Sequence, residues 1–317
     1  MATLQGISAL VKKLYLPVLV DNSTKSNILL YRNYRRGTRI EETETIYAPL
    51  RYADLAGRWY SKYDVWNSSP PDFIKAAEFK PTQCEAEMEL SGYDEVVGTS
   101  SLSTINYLKV LMQSAEDTIK NLMGAGLFSD GTGYAGKILL GLGAAIDDGT
   151  NVQVYGGLDR LGDSPFWRSN VSGNSGTPRA ITTKLMQKIM GKCSIDNDRP
   201  TLLTTTQSVW DEYMYLLESQ QRFIQRDAEL FANGGFQNIL FDGRPVVVDS
   251  HVPNGTMYFI NENYLDLQTF KARDMAFRPF QSVPKGQDAA VAYIRWMGQL
   301  TSNNCRMQGV LKDILEP

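Results

Sequence analysis

The chain has 317 residues, 43% of them apolar, which is enough for a sizeable core in one large or two ordinary domains. A net charge of -3 with 21% charged residues excludes a solvating tail, and it excludes a surface that holds nucleic acid by bulk charge. Cys84, Cys193 and Cys305 are odd in number, far apart and without CxxC spacing, so they read as reduced thiols, not as a disulfide frame or a zinc site.

The opening stretch "MATLQGISALVKKLYLPVLVDN" has its lysines inside the apolar residues and no small-residue cleavage pattern, which makes it a poor secretory signal. No apolar run approaches the roughly 18 residues that cross a bilayer, so a soluble protein made in a cytoplasm, without a membrane partner, is expected. Residues 1–45 read as an arm with one helix candidate at about 16–34, Pro17 falling in its first turn. The arm has little apolar surface to bury on its own account and needs a partner surface.

Residues 46–90 carry Tyr47, Tyr52, Trp59, Tyr60, Tyr63, Trp66, Phe73 and Phe79, with a Ser-Ser-Pro-Pro tip at 68–71. Near the end, Cys84, Ala86, Met88 and Leu90 alternate with Glu85, Glu87 and Glu89, the pattern of a strand with one wet face. The segment predicts a long two-stranded excursion. Such a hairpin is marginal alone, so its aromatics either dock on something else or fold back as a sheet edge on their own core.

Over 101–128, Ile105, Leu108, Leu111, Met112, Ala115, Ile119, Leu122 and Met123 step mostly by three or four, one face of a helix of about seven turns. Ser100, Ser101 and Ser103 offer capping hydroxyls, and Gly124 and Gly126 are expected to close it. After a glycine-rich stretch, a helix is predicted at about 178–192, with Thr177 as N-cap and Pro178 in the first turn. Then come a strand at 200–206, a helix at 207–223, and strands at 243–250, 256–261 and 264–270 joined by short turns as an antiparallel meander. One or two strands close the chain. Helices and antiparallel strands without βαβ alternation predict an α+β fold and not a doubly wound sheet.

The motifs with chemical promise are weak. "GTGYAGKI" matches a phosphate loop at Gly131, Gly136 and Lys137, but Ile138 has no oxygen for magnesium, and a helix precedes Gly131 where the motif needs a strand. Asp249-Ser250-His251 contains the sole histidine, yet neighbours on a strand alternate faces, and a turn histidine is expected. Asp147-Asp148-Gly149 and Asp196-Asn197-Asp198 do not continue into a calcium loop and read as turns. No catalytic, cofactor-binding or metal residue is assigned, and no enzyme is expected.

The order of parts is more specific than any motif. "GLFSDGTG" (126–133), "YGGLDR" (155–160) followed by Trp167, "LLTTTQSVWDEYMYLLESQQRF" (202–223), "FDGRPVVVDSHVPNGTMYFIN" (241–261) and a late "NNCRMQGVL" resemble the major capsid proteins of tailed bacteriophages with the Hong Kong 97-type fold. The resemblance implies an N-terminal arm (1–45) that reaches a neighbouring subunit and an extended loop (46–90) lying across another. It further implies a peripheral domain with a spine helix (91–133 and 271–317) and an axial domain (134–270). It implies pentamers and hexamers in an icosahedral head that encloses double-stranded DNA without sequence-specific binding. The host cytoplasm would be the place of assembly and the virion capsid the final location. Portal and decoration proteins are implied partners, and the short arm implies a separate scaffolding protein. Members that cross-link use a lysine on the loop. Lys62, Lys75 and Lys80 lie there, but no motif identifies an acceptor, so no cross-linking is expected. An encapsulin-like compartment shell shares the fold; a nucleotide-binding enzyme using 131–137 and an adhesion or tail module are the readings from other classes.

Overall fold

The computed structural model describes residues 27–41, 44–55, 57–65, 72–92, 101–218, 239–282 and 288–316. Outside them lie the expected helix start at 16, Trp66, the tip at 68–71 and the end of the 207–223 helix; the side chains of Ser100, Ser101, Ser103, Ile105 and Leu108 lie outside as well.

The first helix, α1 (Ile28–Arg36), is capped by Asn27, whose Oδ1 accepts from the Leu30 N–H at 2.9 Å, and ends on Arg35 and Arg36, which complement its C-terminal dipole. Leu29, Leu30 and Tyr34 are buried on the chain's own core. Strand β1 (Arg39–Ile40) then pairs in parallel with β12 (Leu265–Phe270). Arg32 reaches Glu262 at 3.2 Å, Arg39 reaches Asp274 at 3.2 Å, and the Thr38 hydroxyl donates to Asp266 at 2.7 Å. The partner surface that the arm needs is, from residue 27 onward, its own subunit.

The hairpin forms between β2 (Ile46–Arg51) and β3 (Ile74–Phe79), in register from Ile46 opposite Phe79 to Arg51 opposite Ile74. Its return strand is β3. The alternating strand, β4 (Thr82–Ser91), follows Pro81 and joins another sheet, with Ala86, Met88 and Leu90 buried and the glutamates exposed. Its partner is β14 (Ala289–Ser302), from Thr82 opposite Gly298 to Ser91 opposite Ala289. On the other edge of β14 lie β12 and then β13 (Ala276–Ser282). Across this sheet runs the spine helix α2 (Ser101–Leu127), burying Met112, Ala115, Ile119, Met123 and Leu127.

The helix does not stop at its glycines. Gly124 and Gly126 lie inside α2 because neighbours press on it: a Cβ at 124 would fall 2.5 Å from the His251 ring, and one at 126 would fall 3.2 Å from Leu139. The turn that caps the helix end is tighter still, since a Cβ on Gly141 would lie 2.3 Å from the carbonyl oxygens of Gly126 and Leu127.

The second sheet has six strands in the order β7 (Asn170–Ser172), β15 (Gly309–Leu311), β11 (Met257–Ile260), β8 (Leu202–Thr205), β10 (Arg244–Val248) and β9 (Ile239–Phe241). The expected meander does not form. β8 lies between β10, to which it is parallel, and β11, to which it is antiparallel, while β12 leaves for the other sheet. β12, which falls in the 134–270 segment, pairs with β14, and β15, which falls in 271–317, pairs with β11. The meander reading failed because "LLTT" is buried on both faces and its best partners are distant in sequence. Leu203, Met257 and Phe259 pack under α3 (Thr183–Lys192) and α4 (Gln207–Glu218), while Leu202, Tyr258 and Ile260 face the main core, where Phe128 meets Tyr258. α3 begins five residues after its expected start, capped by Thr182 and not Thr177, because Arg179 is used as a bridge to Ile314. The Gln308 side chain couples the sheets' shared corner, donating to the Asn261 carbonyl at 2.9 Å and accepting from its N–H at 2.8 Å. Among the described residues no helix is long and apolar enough to cross a membrane.

Gly141→Ala is expected to lower stability by about 2–3 kcal/mol, because its clash is with backbone that cannot yield. A urea melt of the purified subunit measures the shift.

Candidate functional site

The expected chemical motifs resolve into structure. In the Gly131–Ile138 loop four amides are in use: Gly131 N–H donates to Ser129 Oγ at 2.9 Å, Thr132 N–H to Asp130 Oδ1 at 2.9 Å, Gly136 N–H to Thr132 O at 3.3 Å and Lys137 N–H to Tyr134 O at 3.3 Å. The Thr132 N–H bond and a second from the Thr132 hydroxyl at 2.7 Å hold the Asp130 carboxyl below its ordinary value. Tyr134 and Ala135 take left-handed conformations (φ 51 and 56), and Lys137 is exposed.

Asp249 and His251 do pair, which the alternation of neighbours along a strand did not anticipate: β10 ends at Val248, and in the turn Asp249 Oδ1 accepts from the His251 N–H at 3.0 Å and lies 3.2 Å from Nδ1. Ser250 takes no part in that pair, and the His251 ring abuts Gly124 of the spine helix. Asp147 is fully buried in the first acidic turn, accepting from the N–H groups of Gly149, Asn151 and Val152, each at 3.0 Å. Burial alone would raise its carboxyl; these bonds and the Asn151 side chain outweigh that and lower it. Asp198 accepts from Asn261 at 2.8 Å and from the Tyr264 hydroxyl at 2.5 Å. Burial pushes the Cys84 and Cys193 thiols up to about 12, far from a reactive thiolate.

What remains is a surface. Beyond the paired strands of the hairpin, Leu55, Trp59, Tyr60, Tyr63 and Val65 are exposed, Trp59 fully and Tyr63 at 85%. Exposed apolar groups concentrated on one segment set it apart from singly scattered surface residues. The sheet-edge reading holds at the base, where Ile46, Ala48, Leu50, Ala77 and Phe79 are buried, while the aromatics at 59–63 are exposed.

The base is anchored firmly. The Glu78 N–H donates to the Gly156 carbonyl at 2.8 Å, and the Phe79 ring meets Tyr155 at 5.1 Å edge-on. Tyr52 stacks on Phe166 at 4.8 Å, and the Lys75 ammonium donates to Asp163 O at 3.1 Å and Ser164 Oγ at 3.3 Å. Lys75 is thus an anchor, whereas Lys62 lies over the Tyr63 ring in the exposed segment.

Under this anchor sits a group the sequence did not flag, Arg160, fully buried. Its guanidinium donates to the carbonyls of Ala144 (2.8 Å), Ala145 (2.7 Å), Val152 (3.2 Å) and Trp167 (3.1 Å), and it stacks over Tyr155. Among the described residues its partners are carbonyls, a ring and the Cys305 sulfur, not a carboxylate. "YGGLDR" with Trp167 contains all three large groups of this knot, and the Trp167 Nε1 closes it on the Tyr155 carbonyl at 3.0 Å.

The assembled geometry is a spine helix across one sheet, a second sheet with its helices and a projecting hairpin. No protein-family model matches the sequence, and no curated protein matches it. Solved structures do. The chain is similar to the capsid asymmetric unit of cyanophage A-1(L), with 16% identity and a TM-score of 0.65 over 88% of this chain and 91% of that one. It is similar to the capsid of the native GTA particle (12% identity, TM-score 0.61, 89% and 90% covered). The holo encapsulin complex of Synechococcus elongatus also matches, at 10% identity and a TM-score of 0.55 over 89% and 86%. The fold is that of tailed-phage major capsid proteins, the Hong Kong 97-type fold.

Arg160→Met is expected to cost at least about 3 kcal/mol, since several buried carbonyls lose their donors at once, and Arg160→Lys is expected to rescue little of it because one ammonium cannot span them; denaturant midpoints report both. Asp147, its carboxyl lowered in the folded chain, contributes stability that is present above the ordinary value of about 3.9 and is lost as pH falls through the lowered one. Asp147→Asn is expected to melt lower at neutral pH and to show a smaller drop on acidification, read from thermal melts across the acid range.

Proposed function

We propose that this chain is a major capsid protein that assembles through pentamers and hexamers into an icosahedral phage head enclosing double-stranded DNA. The observation that carries this reading is the exposed Trp59 and Tyr63 rings on an anchored hairpin, in a chain whose fold matches capsid proteins over most of its length. Exposed rings such as Trp59 and Tyr63, laid across a neighbour, bury aromatic surface worth roughly 25 cal/mol per Å². Repeated in closed symmetry, modest contacts of this kind make a firm shell. The mild net negative charge suits a wall past which DNA moves without being trapped.

On this reading the unit built on the spine helix and β14 is the peripheral domain, and the six-stranded sheet with α3 and α4 is the axial domain. The protein acts structurally and not as an enzyme. A separate scaffolding protein, a portal and decoration proteins are its partners, and assembly takes place in the host cytoplasm.

The test is electron microscopy of the protein expressed alone and with its candidate scaffold. Closed shells, tubes or hexamer sheets are expected, and dispersed subunits under every condition would reject the reading. Replacing Trp59 and Tyr63 together by Ser is expected to abolish these particles while moving subunit stability by no more than about 0.5 kcal/mol. Nucleic acid inside particles recovered from infected cells, as opposed to a protein cargo, separates the head from an encapsulin-like compartment.

A further inference from the structure

The turn that leads from His251 into β11 holds a chemically labile pair, Asn254-Gly255. An asparagine followed by glycine rearranges without an enzyme, because glycine has no side chain to shield its nitrogen or stiffen the backbone. The Gly255 nitrogen attacks Cγ of the Asn254 side chain. The N–Cγ bond forms, the Cγ–Nδ2 bond breaks, and Nδ2 leaves as ammonia with the proton that the Gly255 nitrogen gives up. Water then opens the cyclic imide at either carbonyl. Position 254 becomes aspartate, or isoaspartate with one more methylene in the backbone, and in both cases it gains a negative charge.

The fold cannot dispense with this glycine. Gly255 has a left-handed φ of 65, and a Cβ there would lie 2.8 Å from the Ile314 carbonyl oxygen. Asn254 is exposed, so water reaches it.

The attacking atom, however, is clasped. The Gly255 N–H donates to Glu316 Oε1 at 2.8 Å, and the Thr206 hydroxyl donates to the same oxygen at 2.6 Å, fixing the carboxylate in place. The Gly255 carbonyl accepts from the Ile314 N–H at 2.9 Å, so both polar groups of the glycine are bound by the segment 314–316. That segment is held in turn by Arg179, whose N–H donates to the Asp313 carbonyl and whose carbonyl accepts from the Leu315 N–H, each at 2.8 Å. Two effects then oppose the attack. The nitrogen must lose its proton, which the hydrogen bond retains. The nitrogen anion so formed would stand beside a carboxylate, and like charges this close disfavour each other.

We infer that Asn254 is a site of spontaneous isoaspartate formation whose rate is set by Glu316. With the clasp closed the turn is chemically quiet; each local opening of 314–316 exposes the Gly255 nitrogen. The inference goes beyond shell formation and does not rest on it, since every measurement is made on the free subunit.

The experiment ages the full-length chain at mildly alkaline pH and follows isoaspartate and aspartate at position 254 by peptide mapping and mass spectrometry. The chain's other Asn-Gly pair, Asn233-Gly234, is read in the same digests, so that a change in general conditions is separated from a change at the clasp. Conversion at 254 is expected to be about ten-fold or more slower in the folded chain than in the same chain unfolded in urea. Glu316→Ala removes both the acceptor and the charge, and is expected to speed conversion at 254, relative to 233, by at least about five-fold. Glu316→Gln keeps an acceptor and loses the charge, and is expected to speed it by about two-fold or more. Both variants are compared with the unsubstituted chain at a temperature where circular dichroism shows all three folded. Conversion at 254 as fast in the folded chain as in urea, or an unchanged ratio of 254 to 233 in either variant, would overturn the proposal.

Discussion

The fold depends on a single buried cation. Arg160 gathers carbonyls from the turn at 144–145, from Val152 and from Trp167, three pieces of glycine-rich chain that have almost no regular structure of their own. Backbone that leaves helices and strands must still satisfy its polar groups when buried. A guanidinium with five fixed donors does that for a whole corner of the molecule at once. The ring of Tyr155 below it and the indole of Trp167 beside it keep water out, and the same Tyr155 receives Phe79 from the hairpin. The direction in which the hairpin leaves the body is therefore set by a charge that never sees solvent.

This arrangement divides the hairpin into two energetic regimes. At the base, aromatic contacts, the Lys75 anchor and the Gly156 carbonyl fix it in the isolated chain. Farther out, Trp59 and Tyr63 face solvent and bury little surface in the lone chain. A partner that binds a preset arm avoids much of the ordering cost that a limp segment would incur.

Legibility followed the locality of the physics. The spine helix and β4 were readable because a 3.6-residue stripe and a strict two-residue alternation each repeat long enough to be unambiguous. The exposed aromatics at 59–63 were readable because they stand on a segment with no periodic apolar face to bury them. The meander was misread because the partner of β10 is β8, separated from it by α4 and the chain beyond, and nothing local to "GRPVVVDS" reports that. A signal that was present went unused: "FDGR" is a two-residue hairpin with Asp242 and Gly243 both left-handed, joining β9 to β10. The glycines at 124 and 126 looked like a helix end, but they reflect crowding by His251 and Leu139, groups distant in the chain. Arg160 was invisible for a plainer reason: arginines are mostly exposed, and no periodicity surrounds this one.

The long strand β14 has a mechanical meaning. The hairpin returns through Lys80 and Pro81 directly into β4, which lies antiparallel against β14 over its 10 residues. A pull on the hairpin is passed along the axis of β4, so the rungs of that ladder are loaded together in shear and do not open one after another like a zip. On the far edge, β12 and β13 hold β14 from the opposite side. Tension that enters at the tip is thus spread across a whole sheet before it reaches any single bond, as a load is carried through a lap joint.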